Sequence, residues 1–358
     1  MFKLIRPAAA AGSLLVALTA VAGPASAATT SPAGQGADWL SNQLTDGVVH
    51  NDQYDFDDYG LTVDVGLALA DLGGHGRAVR RSSGAVARHV AGYIGDGTAE
   101  AYAGPTAKAA VLADAAGKNP RSFGGVDLVS RLEGLVTSSG RIQDTSQYGD
   151  FANVIGQSYA VSALSAAGST KAGKVTGFLL EQQCGRGFFR LKFSDPAAAD
   201  QSCAGAPRAE RAPDTDVTAL AVLMLRTVDH PRPRVRQAIT DAVQWLKRHQ
   251  AQDGSFGGGA STEASNTNST GLAAWALGES GACRAAQRAA TWVRGLQVTS
   301  RQADTRLRRQ VGAIAYDRTA FRAGRTQGIT AETRDQWRRA SAQAAPGLAF
   351  LKASACSR

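Results

Sequence analysis

Between residues 38 and 71 the chain has no lysine or arginine, and over its whole length only five histidines, four cysteines and two methionines. The histidines (His50, His75, His89, His230, His249) never stand four apart and no Cys-x-x-Cys occurs, so the spacings that hold zinc are missing. Beyond the first 27 residues no stretch approaches twenty consecutive apolar residues, which excludes a transmembrane anchor in the body of the chain. No arginine pair precedes the apolar start, which argues against export of a folded protein with its cofactor already loaded. Basic residues outnumber acidic ones by 39 to 30, an excess too mild to imply nucleic acid.

What is present begins with a secretory pattern. Lys3 and Arg6 precede an apolar stretch from Pro7 to about Gly23 and a small-residue cleavage site at Ala25-Ser26-Ala27. Residues 1–27 are therefore expected to be a signal peptide, and 28–358 the mature, secreted domain. An even cysteine count in an exported chain predicts two disulfides, Cys184–Cys203 and Cys283–Cys356. The first closes a loop of about 20 residues and would stabilise by about 3 kcal/mol.

The rest repeats. A polar or tyrosine residue, then Thr or Gln four positions on, then an apolar helix recurs at Asp58/Thr62, Tyr102/Thr106, Asn153/Gln157, Asp214/Thr218 and Asn266/Thr270. The anchors lie 44, 51, 61 and 52 residues apart, which suits two helices and two turns per unit. A second helix precedes most copies and ends in a glycine turn: Trp39 to Gly47, Leu132 to Gly140, Phe178 to Gly187, Trp245 to Gly258. A sixth, degraded unit begins near Trp292–Gln297.

The stretch Gln250-Ala251-Gln252-Asp253-Gly254-Ser255-Phe256-Gly257-Gly258 resembles the QW-type repeat of the squalene-cyclase and prenyltransferase superfamily. The resemblance covers about 38–350. It implies an all-α fold, an α/α toroid of about six helix pairs and roughly twelve helices, although helix pairs at this period also build open solenoids. Charge favours closure: eight acids crowd residues 38–71, while residues 291–358 carry thirteen basic groups and four acids. In a ring the first and last repeats are neighbours, so these charges would meet.

Asp55-Phe56-Asp57-Asp58 has the Asp-x-Asp-Asp form of class II terpene cyclases, and the resemblance implies that the middle carboxyl, Asp57, protonates an alkene or epoxide. That chemistry needs a carboxyl kept protonated by burial and neighbouring charge. Asp214-Thr215-Asp216-Val217-Thr218-Ala219 is a second near-match, with Val217 in place of the last acid. Each acid also suits a plainer role, capping the helix that follows. Asp52, Asp55 and Asp57 form an oxygen-rich group that could take calcium, although not as an EF-hand, since Gly66 stands at the twelfth position from Asp55. No other cofactor is implied.

Against a cyclase stand the few aromatics, 6% of the chain, and export away from cytoplasmic prenyl diphosphates. The zinc cluster of protein prenyltransferases is not legible, and Gln182-Gln183-Cys184-Gly185 differs from the Cys-Gly-Glu-Gln thioester of complement-like relatives. Asn153, Tyr159, His249 and Tyr316 have the residue types of polysaccharide-cleaving α/α barrels, without a supporting spacing. The leading expectation is a secreted, monomeric, non-catalytic protein that binds a small molecule or cell-envelope polymer. Its ligand would sit where the inner helices begin, at Asp58, Tyr59, Asp64, Asp214, Asp216, Asn266 and Asn268. The alternative is a cyclase-type enzyme with the Asp-x-Asp-Asp acid.

Overall fold

The computed structural model describes residues 31–356, so the expected signal peptide lies outside the described residues. Fourteen helices account for nearly all of the regular structure: α1 (Pro32–Ser41), α2 (Tyr59–Leu72), α3 (Gly76–Arg88), α4 (Val90–Ile94), α5 (Ala103–Ala115), α6 (Leu128–Gly134), α7 (Val154–Ala166), α8 (Ala172–Glu181), α9 (Thr215–Leu225), α10 (Pro233–His249), α11 (Thr267–Glu279), α12 (Cys283–Arg294), α13 (Arg318–Gln327) and α14 (Ala331–Ala344). A two-residue hairpin, β1 (His50–Asn51) with β2 (Phe56–Asp57), is the one sheet among the described residues.

The helices sort by which faces are apolar. In α2, α7, α9 and α11 nearly every side is apolar, as in Thr215–Leu225, where ten of the eleven residues are buried. Such helices must be surrounded on all sides. Helices α3, α10 and α12 instead carry a charged stripe and bury only Ala, Val, Leu, Trp and Ser on the opposite face. The result is an inner ring of α2, α5, α7, α9, α11 and α14, within an outer ring of α1, α3, α6, α8, α10 and α12. Twelve of the fourteen helices thus form the α/α toroid, while α4 prolongs α3 and α13 lies in the last connection.

One junction recurs around the outer ring. Gln183 Nε2 donates to the carbonyls of Gly187 and of Ala238 on α10, at 2.9 and 2.8 Å. Gln250 does the same to Gly254 and to Ala285 on α12, at 3.0 and 2.9 Å. The third copy closes the circle: Gln297 donates to Gly312 and, across 265 residues, to Pro32 of α1, at 3.1 and 2.9 Å. Gly312, at φ +98°, lies so close to α1 that a Cβ there would fall 1.9 Å from the Gln35 carbonyl oxygen.

The repeated Thr or Gln ties each turn to its inner helix. Thr62, Thr218 and Thr270 accept the backbone N–H of Val49, Phe189 and Phe256, and Gln157 accepts that of Ile142. Ser341 of α14 plays this part in the sixth unit, toward Ile314. Thr106 does not; its hydroxyl donates only to the Tyr102 carbonyl, so the second unit lacks this tie.

The charges expected to meet do meet. Arg339 lies 2.6 Å from Asp58, Arg334 2.9 Å from Asp52, and the buried Arg338 reaches the His50 carbonyl, Asp335 and Asp52 at 2.6, 2.8 and 3.4 Å. Trp39 and Leu40 of α1 share a core with Trp337 and Leu348. Both expected disulfides are present, Cys184–Cys203 and Cys283–Cys356. Among the described residues no helix is long and apolar enough to cross a membrane.

Candidate functional site

All five inner helices from α2 to α11 start at the same end of the ring, and their first residues decide what that end can do. Asp58, Asn153, Asp214 and Asn266 are N-caps, each accepting a backbone N–H of the first helical turn. Tyr102, the fifth, caps nothing with its side chain. In α5 the Ala103 N–H is instead taken by Asp144 from a neighbouring loop, at 2.7 Å.

Capping and ion pairing occupy most of the residues expected to bind a ligand. Asp58 gives one carboxylate oxygen to the Leu61 N–H and the other to Arg339. Asp64 is paired with Lys108 of α5 at 2.6 Å. Tyr59 stacks on His89, ring centroids 5.4 Å apart. Asn266 caps α11 and donates to the carbonyls of Ala264 and Thr262. Asp214 caps α9 through the Val217 N–H at 3.0 Å.

Two of the seven remain free, and they belong to adjacent inner helices. Asp216 and Asn268 each stand two residues after their cap, in the first turns of α9 and α11. The Oδ1 atoms of both, and the Ser269 hydroxyl, are buried with no hydrogen-bond partner among the described residues. Buried polar atoms without partners are rare, and here Asp216 and Ser269 face one another across α9 and α11.

Of these groups, Asp216 is the one that can exchange a proton. Burial pushes its carboxyl up to about 6, the Asp214 carboxylate adds to the rise, and the Ser269 hydroxyl facing it works the other way. Burial likewise raises Asp214, against the two backbone N–H groups that favour its charged form. Tyr316 faces the same spot: burial raises its phenol, and the Asp216 and Asp317 carboxylates raise it further. One turn further into the ring, Leu220 below Asp216 and Leu272 below Asn268 keep a residual exposure of 8%.

A glycine run closes the outer side. A Cβ on Gly259 would lie 2.3 Å from Asp214 Oδ2, and one on Gly258 3.0 Å from the Ser269 hydroxyl and 2.2 Å from that of Thr262. The loop 257–259 can pass this close only without side chains. The glycines therefore do more than turn the chain between helices.

Asp57, the acid that the resemblance implies, does not lie beside Asp216. Asp57 stands on β2, one residue before the cap, exposed and 3.0 Å from His50. It is open to solvent and hydrogen-bonded to His50, unlike the enclosed acid that the resemblance implies. The expected calcium group also fails to assemble: Asp52 turns to Arg334 and Arg338, while Asp55 and Asp57 flank His50 at 3.2 and 3.0 Å. Among the described residues no three His, Cys, Asp or Glu side chains are placed to hold a metal ion.

Lys108, Tyr93, Tyr159, Ser269 and Tyr316 were not expected as a group. Burial alone would discharge Lys108, but Asp64, with Tyr93 and Tyr159 beyond it, more than reverses this and holds the ammonium charged. Its Nζ lies 5.6 Å from the centre of the Tyr159 ring. A lysine in the middle of a largely apolar inner helix, with Asp64 midway along the neighbouring α2 as its counter-ion, was the available signal.

No protein-family model matches the chain, and no curated protein matches it. Solved structures do. A crystal structure of a protein from Actinoplanes is 17% identical with a TM-score of 0.58, over 89% of this chain and 98% of that one. The type II terpene cyclase MstE from Scytonema, in complex with the substrate geranylgeranyl dihydroxybenzoate, is 14% identical with a TM-score of 0.62, over 90% of this chain and 97% of that one. A glycosidase in complex with glucose is 11% identical with a TM-score of 0.56, over 89% and 95%. The fold is thus a terpene-cyclase-like α/α toroid, an architecture that carries more than one chemistry.

Proposed function

We propose that the protein is an acid-initiated cyclase or isomerase of the class II terpene-cyclase type, with Asp216 as the proton donor. The observation that carries this is a buried carboxyl with a raised pKa and an unpartnered oxygen. It occupies the middle-acid position of Asp214-Thr215-Asp216-Val217-Thr218-Ala219. Similarity to MstE in fold supports the same reading. The site favours catalysis over the non-catalytic role, because a passive ligand contact gains nothing from a carboxyl held at the edge of protonation.

Val217 stands where the motif has its third acid and is buried in the core, so the proton on Asp216 is retained by burial and by Asp214. Asp214 is fixed by its cap, and the glycine run holds bulk water away from it. Asp216 gives its proton to one alkene or epoxide end of an apolar chain, the neighbouring π bond closes on the cation formed, and loss of a proton at the far end ends the reaction. The product is an isomer of the substrate, and the released proton restores the acid. The disulfides fit an oxidising compartment, in agreement with export.

The test is incubation of the purified protein with geranylgeraniol and its terminal epoxide, followed by mass-resolved chromatography. New peaks of unchanged mass, present with the wild type and missing with Asp216→Asn, support the proposal. Unreacted probes, or products that persist in Asp216→Asn, reject it.

A further inference from the structure

The two cavities at the place where the ring closes have no part in the chemistry at Asp216. One, of about 410 Å³, lies between α1, the hairpin and α14, and falls in the size range of small-molecule sites, about 300–1,000 Å³. Its walls are hydrogen-bonding groups: the side chains of Asn42 and Thr45, with Gln43 and Asp52 already engaged by Trp39, Arg334 and Arg338. Asp52 brings no net charge, because Arg334 and Arg338 face it. Trp39 also borders the cavity, but it is 4% exposed and its indole N–H donates to Gln310, so no ring face is open for stacking a base.

The second cavity, of about 260 Å³, shares Gln310 and Ile329 with the first and is walled by Arg306, Arg308 and Arg309. All three arginines are exposed, and no carboxylate of the described residues forms an ion pair with them. Three unneutralised guanidinium groups around one hollow are a receptor for an anion, since each can offer a planar pair of donors to a carboxylate or phosphate. The neighbouring hollow offers the Asn42 amide and the Thr45 hydroxyl, the complement of a polyol.

We propose that these adjacent cavities form a binding site for an anionic saccharide, its carboxylate or phosphate on Arg306, Arg308 and Arg309 and its hydroxyls in the cavity bordered by Asn42 and Thr45. The site is separate from Asp216 and stands or falls without it.

Isothermal titration calorimetry of the full chain against digalacturonate, glucose 6-phosphate, neutral lactose and inorganic phosphate tests it. At least one charged sugar should bind, with lactose and inorganic phosphate weaker by about tenfold or more; which charged sugar binds identifies the anion. Arg308→Gln/Arg309→Gln should weaken the charged sugar by at least about tenfold and flatten its dependence on salt. The single variant Arg306→Gln serves if the pair fails to fold. Asn42→Ala should weaken the sugar and leave inorganic phosphate unchanged, and Asp216→Asn should change neither. Inorganic phosphate binding as tightly as the charged sugars would reduce the site to an arginine patch and overturn the proposal. Failure of all four probes, or unchanged binding by the arginine variants, would overturn it as well.

Discussion

Two acidic stretches, 55–58 and 214–216, present nearly the same residues to the start of an inner helix and meet opposite fates. In the first, Asp58 is the cap, so Asp55 and Asp57 fall before the helix, on a hairpin exposed to solvent and paired with His50. In the second, Asp214 is the cap and Asp216 falls inside the first turn, pointing into the ring. A shift of register relative to the cap moves a carboxylate from ion pairing at the surface to an enclosed place where burial raises its pKa. The position equivalent to Asp216 in the first stretch is Gly60, which has no side chain to offer.

The strongest way to break this comparison is to exchange each acid for its amide. Asp216→Asn should lower the cyclisation rate by on the order of 10³-fold, the scale of a lost general acid, while Asp57→Asn should leave it unchanged; product formation under identical conditions is the readout. The hairpin acids are expected to act instead on ring closure. Removing the buried partner Arg338 as Arg338→Ala leaves Asp335 without its counter-ion, while Asp52 keeps Arg334, and should cost about 3 kcal/mol in denaturant unfolding. Arg339→Ala, at a half-exposed pair, should cost about 0.5 kcal/mol.

Stability against pH sharpens the same contrast. With its folded pKa raised to about 6 from 3.8, Asp216 binds its proton more tightly in the folded chain. Its contribution is full below about pH 4 and is lost as pH rises through about 6, a fall of about 3 kcal/mol. Asp216→Asn should remove that slope and leave the protein more stable than wild type at pH 7. Asp214→Ala removes a cap and should cost about 1 kcal/mol. The smallest effect is at His50, whose pKa is raised chiefly by its hydrogen bond to Asp57. Asp57→Asn should lower it, which proton NMR of the imidazole would show.

The repeat itself fixes the register of the first acidic stretch. Thr62, Thr218 and Thr270 each stand four residues after a cap, so counting back from Thr62 lands on Asp58 and puts Asp57 outside the helix. The alternation of apolar and amphipathic helices, the glycine turns and the cysteine pairs were legible because each follows from local spacing. The Asp64–Lys108 pair and the approach of Tyr316 to Asp216 were not, since they join residues of different repeats through the interior of the ring. The second repeat was faint for a visible reason: Tyr102 does not cap, and Asp144 supplies the missing acceptor from 41 residues away.

The junction at Gln297 copies its siblings in every bond, yet the chain must travel much further to make it. Gln183 reaches Ala238 across 55 residues, whereas Gln297 reaches Pro32 across 265. Bringing the more distant ends together costs about 1.5 kcal/mol more in loop-closure entropy. Identical contacts would therefore leave this junction the costliest of the three to form from the unfolded chain. The buried guanidinium of Arg338 and the salt bridges around it stand at that one junction, where they offset the handicap that sequence distance imposes.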